Sequence, residues 1–267
     1  MTEGLVAEGV AIGYGRGRVV EGLDLCIPPG RFTALIGPNG CGKSTILRAL
    51  AGLQRPEAGR ILLDGGDIAR IGAKALARRV GLLAQSAAAP EGLRVEELVR
   101  QGRYPHRPFL GGWRAEDAAA VEAALARTGL SSLRDRPLDE LSGGQRQRAW
   151  IAMTLAQESG ILLLDEPTTY LDLAHQVEVL GLMRRLVDAE GATVVAVLHD
   201  LTQAARYADR LALVRAGRIV AEGPPAEVLT VEAVREVFGV EAAILTDPET
   251  GGPLCLPRRI QPPRPGA

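Results

Sequence analysis

The segment that decides the fold is Gly37-Pro38-Asn39-Gly40-Cys41-Gly42-Lys43-Ser44-Thr45, which we call the phosphate loop. It fits the pattern G-x-x-x-x-G-K-[ST], in which backbone N–H groups surround the phosphates of a nucleotide. The apolar residues of 31–36 predict a buried strand before the loop, and the helical spacing of 46–53 predicts a helix after it. We therefore expect this chain to bind a nucleoside triphosphate.

The residue types in the phosphate loop suit an anion. Gly37, Gly40 and Gly42 can adopt backbone angles that are closed to other residues, so that successive N–H groups can point inward. A helix that starts at Lys43 adds unpaired N–H groups and the positive end of its dipole. The Lys43 ammonium suits the β- and γ-phosphates, and the Ser44 hydroxyl is suited to bind Mg²⁺.

Length and composition indicate a globular protein. The chain has 267 residues, of which 46% are hydrophobic and 24% are charged, as in proteins with a full core. The net charge of −1 gives no basic footprint for nucleic acid. Three widely spaced cysteines predict neither a disulfide framework nor a zinc site. No apolar run has the length of a membrane span, so we expect another component to supply any membrane anchor.

Three further apolar runs end in polar residues that can carry chemistry. They are 80–84 before Gln85, 160–164 before Asp165 and Glu166, and 192–198 before His199. Such runs are typical of buried parallel strands, and open parallel sheets bind ligands at the carboxyl edge. Two adjacent carboxylates at a strand end are costly unless a cation meets them, and Mg²⁺ is the expected cation. We therefore expect these residues to lie beside the phosphate loop.

Between the runs 80–84 and 160–164 the pattern becomes helical, with an amphipathic stretch at 95–101 and an alanine-rich stretch at 115–128. Residues 5–30 are β-rich. The sequence thus predicts an α/β protein with the following parts: a core of about 1–86 and 156–252, a helical subdomain of about 87–155, and a Pro- and Arg-rich disordered tail at 253–267.

Two features leave alternatives open. Tyr14 lies between glycines ahead of the phosphate loop, where its ring could stack on a base or pack half-buried against the protein. The segment Leu141-Ser142-Gly143-Gly144-Gln145 precedes a long helical pattern, with Ser142 as its N-cap. That segment is either a second anion-binding helix start or an ordinary capped helix.

Taken together, the motifs resemble the ATP-binding cassette of ABC transporters over about 5–257. The resemblance rests on the phosphate loop, Gln85, the segment 141–145, Asp165-Glu166, Asp172 and His199, in that order. The segment 141–145 is similar to the signature of that superfamily, and we call it the signature segment. Finer motifs resemble the subfamily that energises bacterial import of iron(III)-siderophores, with haem and cobalamin importers as near relatives. They are 102–106, 165–172, 174–176, 237–240 and 247–253.

The resemblance implies a P-loop ATPase core with an N-terminal antiparallel β subdomain and an inserted α-helical subdomain. It also implies a homodimer in which two ATP molecules lie between the phosphate loop of one copy and the signature segment of the other. The implied catalytic residues are Glu166 as general base, His199 as sensor of the γ-phosphate, Lys43 and Gln85. The implied ligands of Mg²⁺ are Ser44, Gln85 and Asp165.

The implied ATP contacts fall into two sets. Those from one copy are Tyr14 on the adenine, Gly37, Pro38, Asn39, Gly40, Cys41, Gly42, Lys43, Ser44, Thr45, and Asp172 as a link between the two sites. Those from the other copy are Ser142, Gly143, Gly144 and Gln145.

The resemblance further implies a peripheral ATPase at the cytoplasmic face of the inner membrane. Its partners would be permease subunits and, through them, an extracytoplasmic substrate-binding protein, with no nucleic acid. Residues 86–112 would dock the permease, although His106 could equally be a solvated loop residue. The alternatives are a haem or cobalamin importer ATPase and a non-transport ATPase of the superfamily. Repair members carry long coiled-coil insertions and ribosomal members carry two cassettes, and neither feature is seen here.

Overall fold

The computed structural model describes residues 4–15, 17–85, 90–108, 112–169 and 171–260. Its strands are β1 Leu5–Tyr14, β2 Gly17–Ile27, β3 Phe32–Ile36, β4 Ala58–Leu63, β5 Gly66–Asp67, β6 Val80–Leu83, β7 Ile161–Leu164, β8 Thr193–Val197, β9 Arg210–Arg215, β10 Arg218–Gly223, β11 Val240–Thr246 and β12 Pro253–Ile260. Its α-helices are α1 Lys43–Leu50, α2 Ala73–Ala77, α3 Val95–Gln101, α4 Ala115–Arg127, α5 Gly143–Ala156, α6 Leu173–Glu190, α7 Leu201–Tyr207, α8 Pro225–Val228 and α9 Val231–Phe238. Within the described ranges, no helix has both the length and the apolar content required to cross a bilayer.

The central sheet has the strand order β10-β9-β3-β8-β7-β6. Its strands pair in parallel from β9 to β6, and β10 is antiparallel. Every residue of β3, β7 and β8 is buried, because these strands are covered on both faces. The parallel pairing places the carboxyl ends of β3, β6, β7 and β8 at one edge of the sheet. This confirms the prediction that the apolar runs are parallel strands.

A second sheet, of order β2-β1-β4-β5, is antiparallel throughout. It shares one apolar core with α1 and one face of the central sheet, to which Val10, Leu47 and Val195 contribute. Burial of this shared core is what fixes α1, and with it the phosphate loop, between the two sheets. The predicted N-terminal antiparallel β subdomain is therefore present.

The chain between β6 and β7 is helical, and α3 and α4 both pack on α5. Leu98, Leu125 and Ile151 are buried in this packing. Arg103 lies in the same interior with 3% of its surface exposed. Its Nε donates to Asp117 Oδ1 at 2.9 Å and its Nη1 donates to the Ala156 carbonyl at 2.8 Å. The inserted helical part thus encloses a paired charge as well as an apolar core.

The prediction of a disordered tail from residue 253 is wrong for 253–260. These residues form β12, which pairs antiparallel with β11 from Thr246 opposite Pro253 to Val240 opposite Ile260. The Cys255 side chain is buried, and its backbone N–H donates to Thr202 Oγ1 of α7 at 3.2 Å. Proline is tolerated in a two-stranded ribbon because each strand has a free edge. The remainder of the predicted tail, 261–267, lies outside the described residues.

Candidate active site

The phosphate loop connects β3 to α1. Gly40 and Gly42 have φ of 76° and 104°, values that L side chains rarely adopt. Lys43, the first residue of α1, is 5% exposed, and its Nζ donates to the carbonyls of Gly37 at 2.7 Å and Pro38 at 2.8 Å. The loop therefore curls around its own lysine, which holds the ammonium group inside the loop.

An open cleft of about 630 Å³ lies beside this loop, within the size range of small-molecule sites. Its lining comes from β2, the phosphate loop and the residues that follow β6, β7 and β8. The lining residues are Val19, Asn39, Gly40, Gly42, Lys43, Ser44, Thr45, Gln85, Glu166, Thr169 and His199. The structure thus brings Gln85, Glu166 and His199 to the phosphate loop.

Asp165 lies behind Ser44. Its side chain is almost completely buried, and Oδ1 accepts the Ser44 hydroxyl at 2.9 Å. Burial raises the pKa of Asp165, the Ser44 hydrogen bond opposes that rise, and the neighbouring Glu166 charge adds to it. A buried carboxylate with a raised pKa gains most from a nearby cation.

Glu166 is held by three side-chain donors. Its Oε2 accepts from Gln85 Nε2 at 2.7 Å and Thr169 Oγ1 at 2.9 Å, and its Oε1 lies 2.9 Å from His199 Nε2. Burial alone would raise the pKa of Glu166, but the hydrogen bonds from Thr169, His199 and Gln85 outweigh it and lower that pKa. The backbone φ is 54°, a strained value for a non-glycine residue. Glu166 is therefore ionised at neutral pH and fixed in orientation.

The pKa values of the two adjacent carboxyl groups thus move in opposite directions. Such a separation suits different chemical roles for neighbouring acids. The buried Asp165, beside a hydroxyl, suits a cation. The ionised Glu166, at the cleft wall beside His199, suits the polarisation of a water molecule.

Four of the ATP-binding residues predicted ahead of or within the phosphate loop do not line the cleft. Tyr14 ends β1 with 49% of its surface exposed, and Pro38 contributes its carbonyl to Lys43. A Cβ on Gly37 would lie 2.1 Å from the Val214 carbonyl oxygen, so this glycine allows close packing of the loop. Cys41 is buried beneath the loop. Gly37, Pro38 and Cys41 therefore shape the loop from within.

The signature segment and Asp172 also lie outside the cleft lining. Ser142 caps α5: its Oγ accepts the Gln145 N–H at 3.2 Å, and Gln145 Oε1 accepts the Ser142 N–H at 3.1 Å. This reciprocal pair is a capping box. Asp172 caps α6 by accepting the His175 N–H at 2.9 Å. The predicted site residues thus form two separate groups within one chain.

Two cleft residues were not anticipated from the sequence. Thr169 follows Glu166 by three residues, and its contact depends on the unusual φ at Glu166. Val19 reaches the cleft because β2 lies against the loop, where a Cβ on Gly42 would be 3.2 Å from the Val19 carbonyl oxygen. Neither contact has a signal in the sequence pattern, since both depend on chain geometry.

Comparison with known proteins agrees with this geometry. The family profile described as "ABC transporter" matches residues 20–169, more than half of the chain. The ferric enterobactin transport ATP-binding protein FepC of Escherichia coli (strain K12) is 51% identical over 260 residues, which cover 96% of each chain. The petrobactin import ATP-binding protein FpuD of Bacillus anthracis is 49% identical over 257 residues, which cover 96% of this chain and 94% of FpuD.

A solved structure is similar as well. It is a dimeric ATP-binding cassette in a post-hydrolysis state with ADP and Pi, and it matches with a TM-score of 0.73 at 27% identity. The match covers 82% of this chain and 98% of that cassette. The family profile, the relatives and the cleft described above lead to the same conclusion. The chain belongs to the ABC transporter family.

Proposed function

We propose that this chain is the ATP-hydrolysing subunit of a bacterial importer that energises uptake of an iron(III)-siderophore. The observation that carries the hydrolytic part is the ionised Glu166, held by three donors in the cleft of the phosphate loop. The siderophore is supported by the names of FepC and FpuD, each about half identical over nearly the whole chain.

In this proposal the phosphate loop holds the β- and γ-phosphates through its backbone N–H groups and Lys43. Asn39 and Thr45 line the same cleft and lie within reach of the nucleotide. Tyr14 stacks on the adenine, which its exposed ring at the end of β1 permits. Gly37, Pro38 and Cys41 act by keeping the loop closed around Lys43.

The residues beside the loop fit Mg²⁺. Ser44, Gln85 and Asp165 offer hydroxyl, amide and carboxylate oxygens, the hard donors that Mg²⁺ prefers. The buried Asp165, with its raised pKa, also provides an observation independent of the motif. When bound, the ion would neutralise the phosphate charge that develops during transfer.

The protein's own contribution to the reaction is proton transfer and orientation. Glu166 polarises the attacking water as a general base, and its lowered pKa keeps it ionised. His199 holds Glu166 through Nε2 and, from the wall of the cleft, senses the γ-phosphate by hydrogen bond when ATP is bound. Gln85 holds the other carboxylate oxygen of Glu166 through Nε2 and precedes the helical insertion that follows β6.

A second copy of the chain completes the site. The signature segment, 141–145, lies away from its own cleft, so its helix start is free to meet the nucleotide of another copy. Beside Asp172, the α6 side chains of Leu173 and Val177 are 72% and 48% exposed, as expected where a second copy covers them. The dimeric cassette to which this chain is similar supports the same arrangement.

The raised pKa of Asp165 leads to a stability prediction. In the nucleotide-free protein, Asp165→Asn should raise the melting temperature at neutral pH, because the wild-type protein must either bury an ionised carboxylate or take up a proton on folding. The protonated form of Asp165 stabilises the fold below the ordinary pKa near 3.8, and this stabilisation is lost as pH rises through the raised folded pKa.

Melting curves across that pH range check this prediction, with the exposed Asp139→Asn as control. The advantage of Asp165→Asn should grow as pH rises through the window and vanish below it. The same variant should lose the added stability that Mg²⁺ and ATP confer on the wild type. If Asp165→Asn melts at a lower temperature than wild type at neutral pH, the prediction that burial of Asp165 destabilises the nucleotide-free protein is wrong.

We propose that a cytoplasmic helix of the permease docks in a second cleft, of about 600 Å³, on the helical insertion. Its lining residues are Glu97, Arg100, Gln101, Tyr104, Arg107 and Trp113. The Arg100 guanidinium lies 4.1 Å from the centroid of the Trp113 ring, and Tyr104 is 75% exposed. Exposed aromatic and arginine side chains around a groove suit an amphipathic helix.

This docking cleft refines the range 86–112 expected from the sequence. Residues 86–89 and 109–111 lie outside the described residues. His106 does not line the cleft, because its Nε2 lies 2.8 Å from the Gln157 carbonyl oxygen at the end of α5. His106 thus anchors the segment that presents Tyr104.

Tyr104→Ala should weaken binding to the permease by at least about tenfold, as expected for an interface aromatic. The ATPase activity of the isolated subunit should be unchanged, since Tyr104 lies outside the nucleotide cleft. Co-purification with the permease and transport in vesicles measure the effect. Leu53→Ala, at a residue that is 71% exposed outside the docking cleft, is the matched control. Equal permease binding by both variants would refute the docking site.

The transported substrate is tested by uptake into a deletion strain. Loss of iron(III)-siderophore uptake that this chain restores, and that Glu166→Gln does not restore, supports the proposal. Parallel assays with haem and cobalamin distinguish the alternatives within the subfamily. Normal siderophore uptake with loss of either other substrate overturns the proposed cargo and leaves the ATPase assignment standing.

A further inference from the structure

His175, in the first turn of α6, contacts Asp172 twice. Its Nδ1 lies 2.6 Å from Asp172 Oδ1, and the same oxygen accepts the His175 backbone N–H at 2.9 Å. An ionised carboxylate only accepts hydrogen bonds, so Nδ1 carries the proton. The Asp172 side chain remains 66% exposed. The histidine thus fixes a carboxylate that still faces solvent.

The other side of the His175 ring lies against the signature segment. A Cβ on Gly144 would be 2.5 Å from Cδ2 and 2.8 Å from Cγ of the ring, closer than real Cβ atoms come to neighbouring atoms. Only glycine therefore lets the start of α5 approach this ring. The capping box between Ser142 and Gln145 holds the rest of that turn. The ring is a spacer between the first turns of α5 and α6.

Gln176, the next residue, connects the same turn of α6 to α7 and to the chain before α6. Gln176 Oε1 accepts from Gln203 Nε2 of α7 at 2.8 Å, and Gln176 Nε2 donates to the Leu171 carbonyl at 3.0 Å. Gln203 in turn donates its backbone N–H to Asp200, next to His199. Because the turn is held on both sides, the position of the His175 ring is set by the fold.

We propose that His175 is a positioning residue that holds Asp172 and the signature segment at a fixed spacing. One chain then presents both to the second copy as a single surface. This inference rests on the proposed ATP-sandwich dimer. His175 does not line the cleft of its own chain, so its loss should weaken engagement in trans and leave ATP binding in cis intact.

The first experiment measures dimer formation in a Glu166→Gln parent with Mg²⁺ and ATP, by analytical ultracentrifugation. Adding His175→Ala should raise the dimer dissociation constant by about tenfold, the size of a coupled contact. Binding of a fluorescent ATP analogue to the monomer should stay within about twofold of the parent. Without the Glu166 change, the ATP concentration for half-maximal hydrolysis should rise correspondingly.

Two conservative variants separate the contacts. His175→Asn keeps a donor near the position of Nδ1 but lacks the ring, whereas His175→Phe keeps the ring and lacks the donor. Each should restore part of the dimer affinity that His175→Ala loses. Glu178→Ala is the matched control on the same helix. It removes an exposed partner of Arg148 at 3.6 Å and should leave the dimer unchanged.

The second experiment needs neither ATP nor a dimer. Gly144→Ala should lower the melting temperature by about 5 °C, because its new methyl group overlaps the His175 ring. Adding His175→Ala should recover most of that loss, since the ring is then absent. Purely additive effects of the two changes would show that the ring does not space the two turns.

The outcomes are distinguishable. A parent that forms no ATP-dependent dimer overturns the proposed function, and the positioning role with it. A normal parental dimer that His175→Ala leaves unchanged overturns the positioning role alone, as does additivity in the stability cycle. Weaker dimers with intact binding in cis, partial rescue and a non-additive cycle support it.

Discussion

Glu166→Gln is expected to lower the rate of ATP hydrolysis by about 10²–10⁴-fold, the contribution of a positioned general base. The amide has the same shape as the carboxylate, and its single oxygen can still accept hydrogen bonds from Thr169 and Gln85 while its NH₂ group faces His199, so the cleft should keep its structure. ATP binding should be retained because Lys43 and the phosphate loop are unchanged. An ATP-bound dimer should then accumulate, since the step that separates it is blocked.

Steady-state phosphate release, equilibrium nucleotide binding and size-exclusion chromatography with ATP measure the three parts of this prediction. Glu190→Gln is the control. Glu190 is exposed, pairs with Arg127 at 3.2 Å and does not line the nucleotide cleft. It should hydrolyse ATP at the wild-type rate. Near-normal turnover by Glu166→Gln would mean that Glu166 merely completes the surroundings of the metal.

Arg103→Ala should lower the free energy of unfolding by about 3–5 kcal/mol, the cost of leaving a buried charge without its partner. The carboxylate left behind is Asp117, whose side chain is 5% exposed. The Ala156 carbonyl would lose its donor as well. The melting temperature should fall by about 6–20 °C, as measured by calorimetry or thermal denaturation.

Arg60→Ala is the informative control for this prediction. Arg60 Nε lies 2.7 Å from Glu8 Oε2, nearer than Arg103 Nε lies to Asp117, but the Arg60 side chain is 62% exposed. An exposed pair contributes about 0–1 kcal/mol, so burial decides the size of the effect. Equal destabilisation by Arg60→Ala and Arg103→Ala would contradict this reasoning. The Arg103→Ala/Asp117→Ala double variant should lose less than the sum of the single losses.

The dependence of stability on pH in the acid range gives a second test of the Arg103–Asp117 pair. Burial alone would raise the pKa of Asp117, but the hydrogen bonds from the Arg103 side chain and the Arg114 backbone, together with the charges of both arginines, outweigh it and lower that pKa. The resulting stabilisation is present above the ordinary pKa near 3.8 and is lost as pH falls through the lowered folded value. Arg103→Ala should remove the part of this pH dependence of stability that Arg103 causes.

The sequence is sufficient to predict the central sheet and its polar edge. Runs such as 160–164 are apolar at every position, so they can only be buried strands or buried helix segments, and their short length favours strands. The phosphate loop fixes which edge binds phosphate. These features are local in the chain, and local patterns can be recognised without the fold.

The contacts that tune the site could not be predicted in this way. The three donors to Glu166 depend on a left-handed backbone at that residue and on chain segments up to 81 residues apart. Arg103 belongs to the motif 102–106, and its partners come from α4 and the end of α5, which the motif does not indicate. The prediction of a disordered tail is wrong at 253–260 for a related reason. The strand formed by these residues depends on pairing with β11, and their Pro and Arg content does not indicate it.

The strand order of the central sheet has a consequence for how the protein is made. Within the described residues, β3 pairs with β8 and β9, and Phe32 lies opposite Val194. A nascent chain therefore carries the phosphate loop long before its neighbouring strands have left the ribosome. Until then β3 exposes unpaired backbone groups, which makes incomplete chains prone to aggregation. The nucleotide cleft is complete only once His199 has been synthesised, so we expect the full stabilisation by ATP only from that point on.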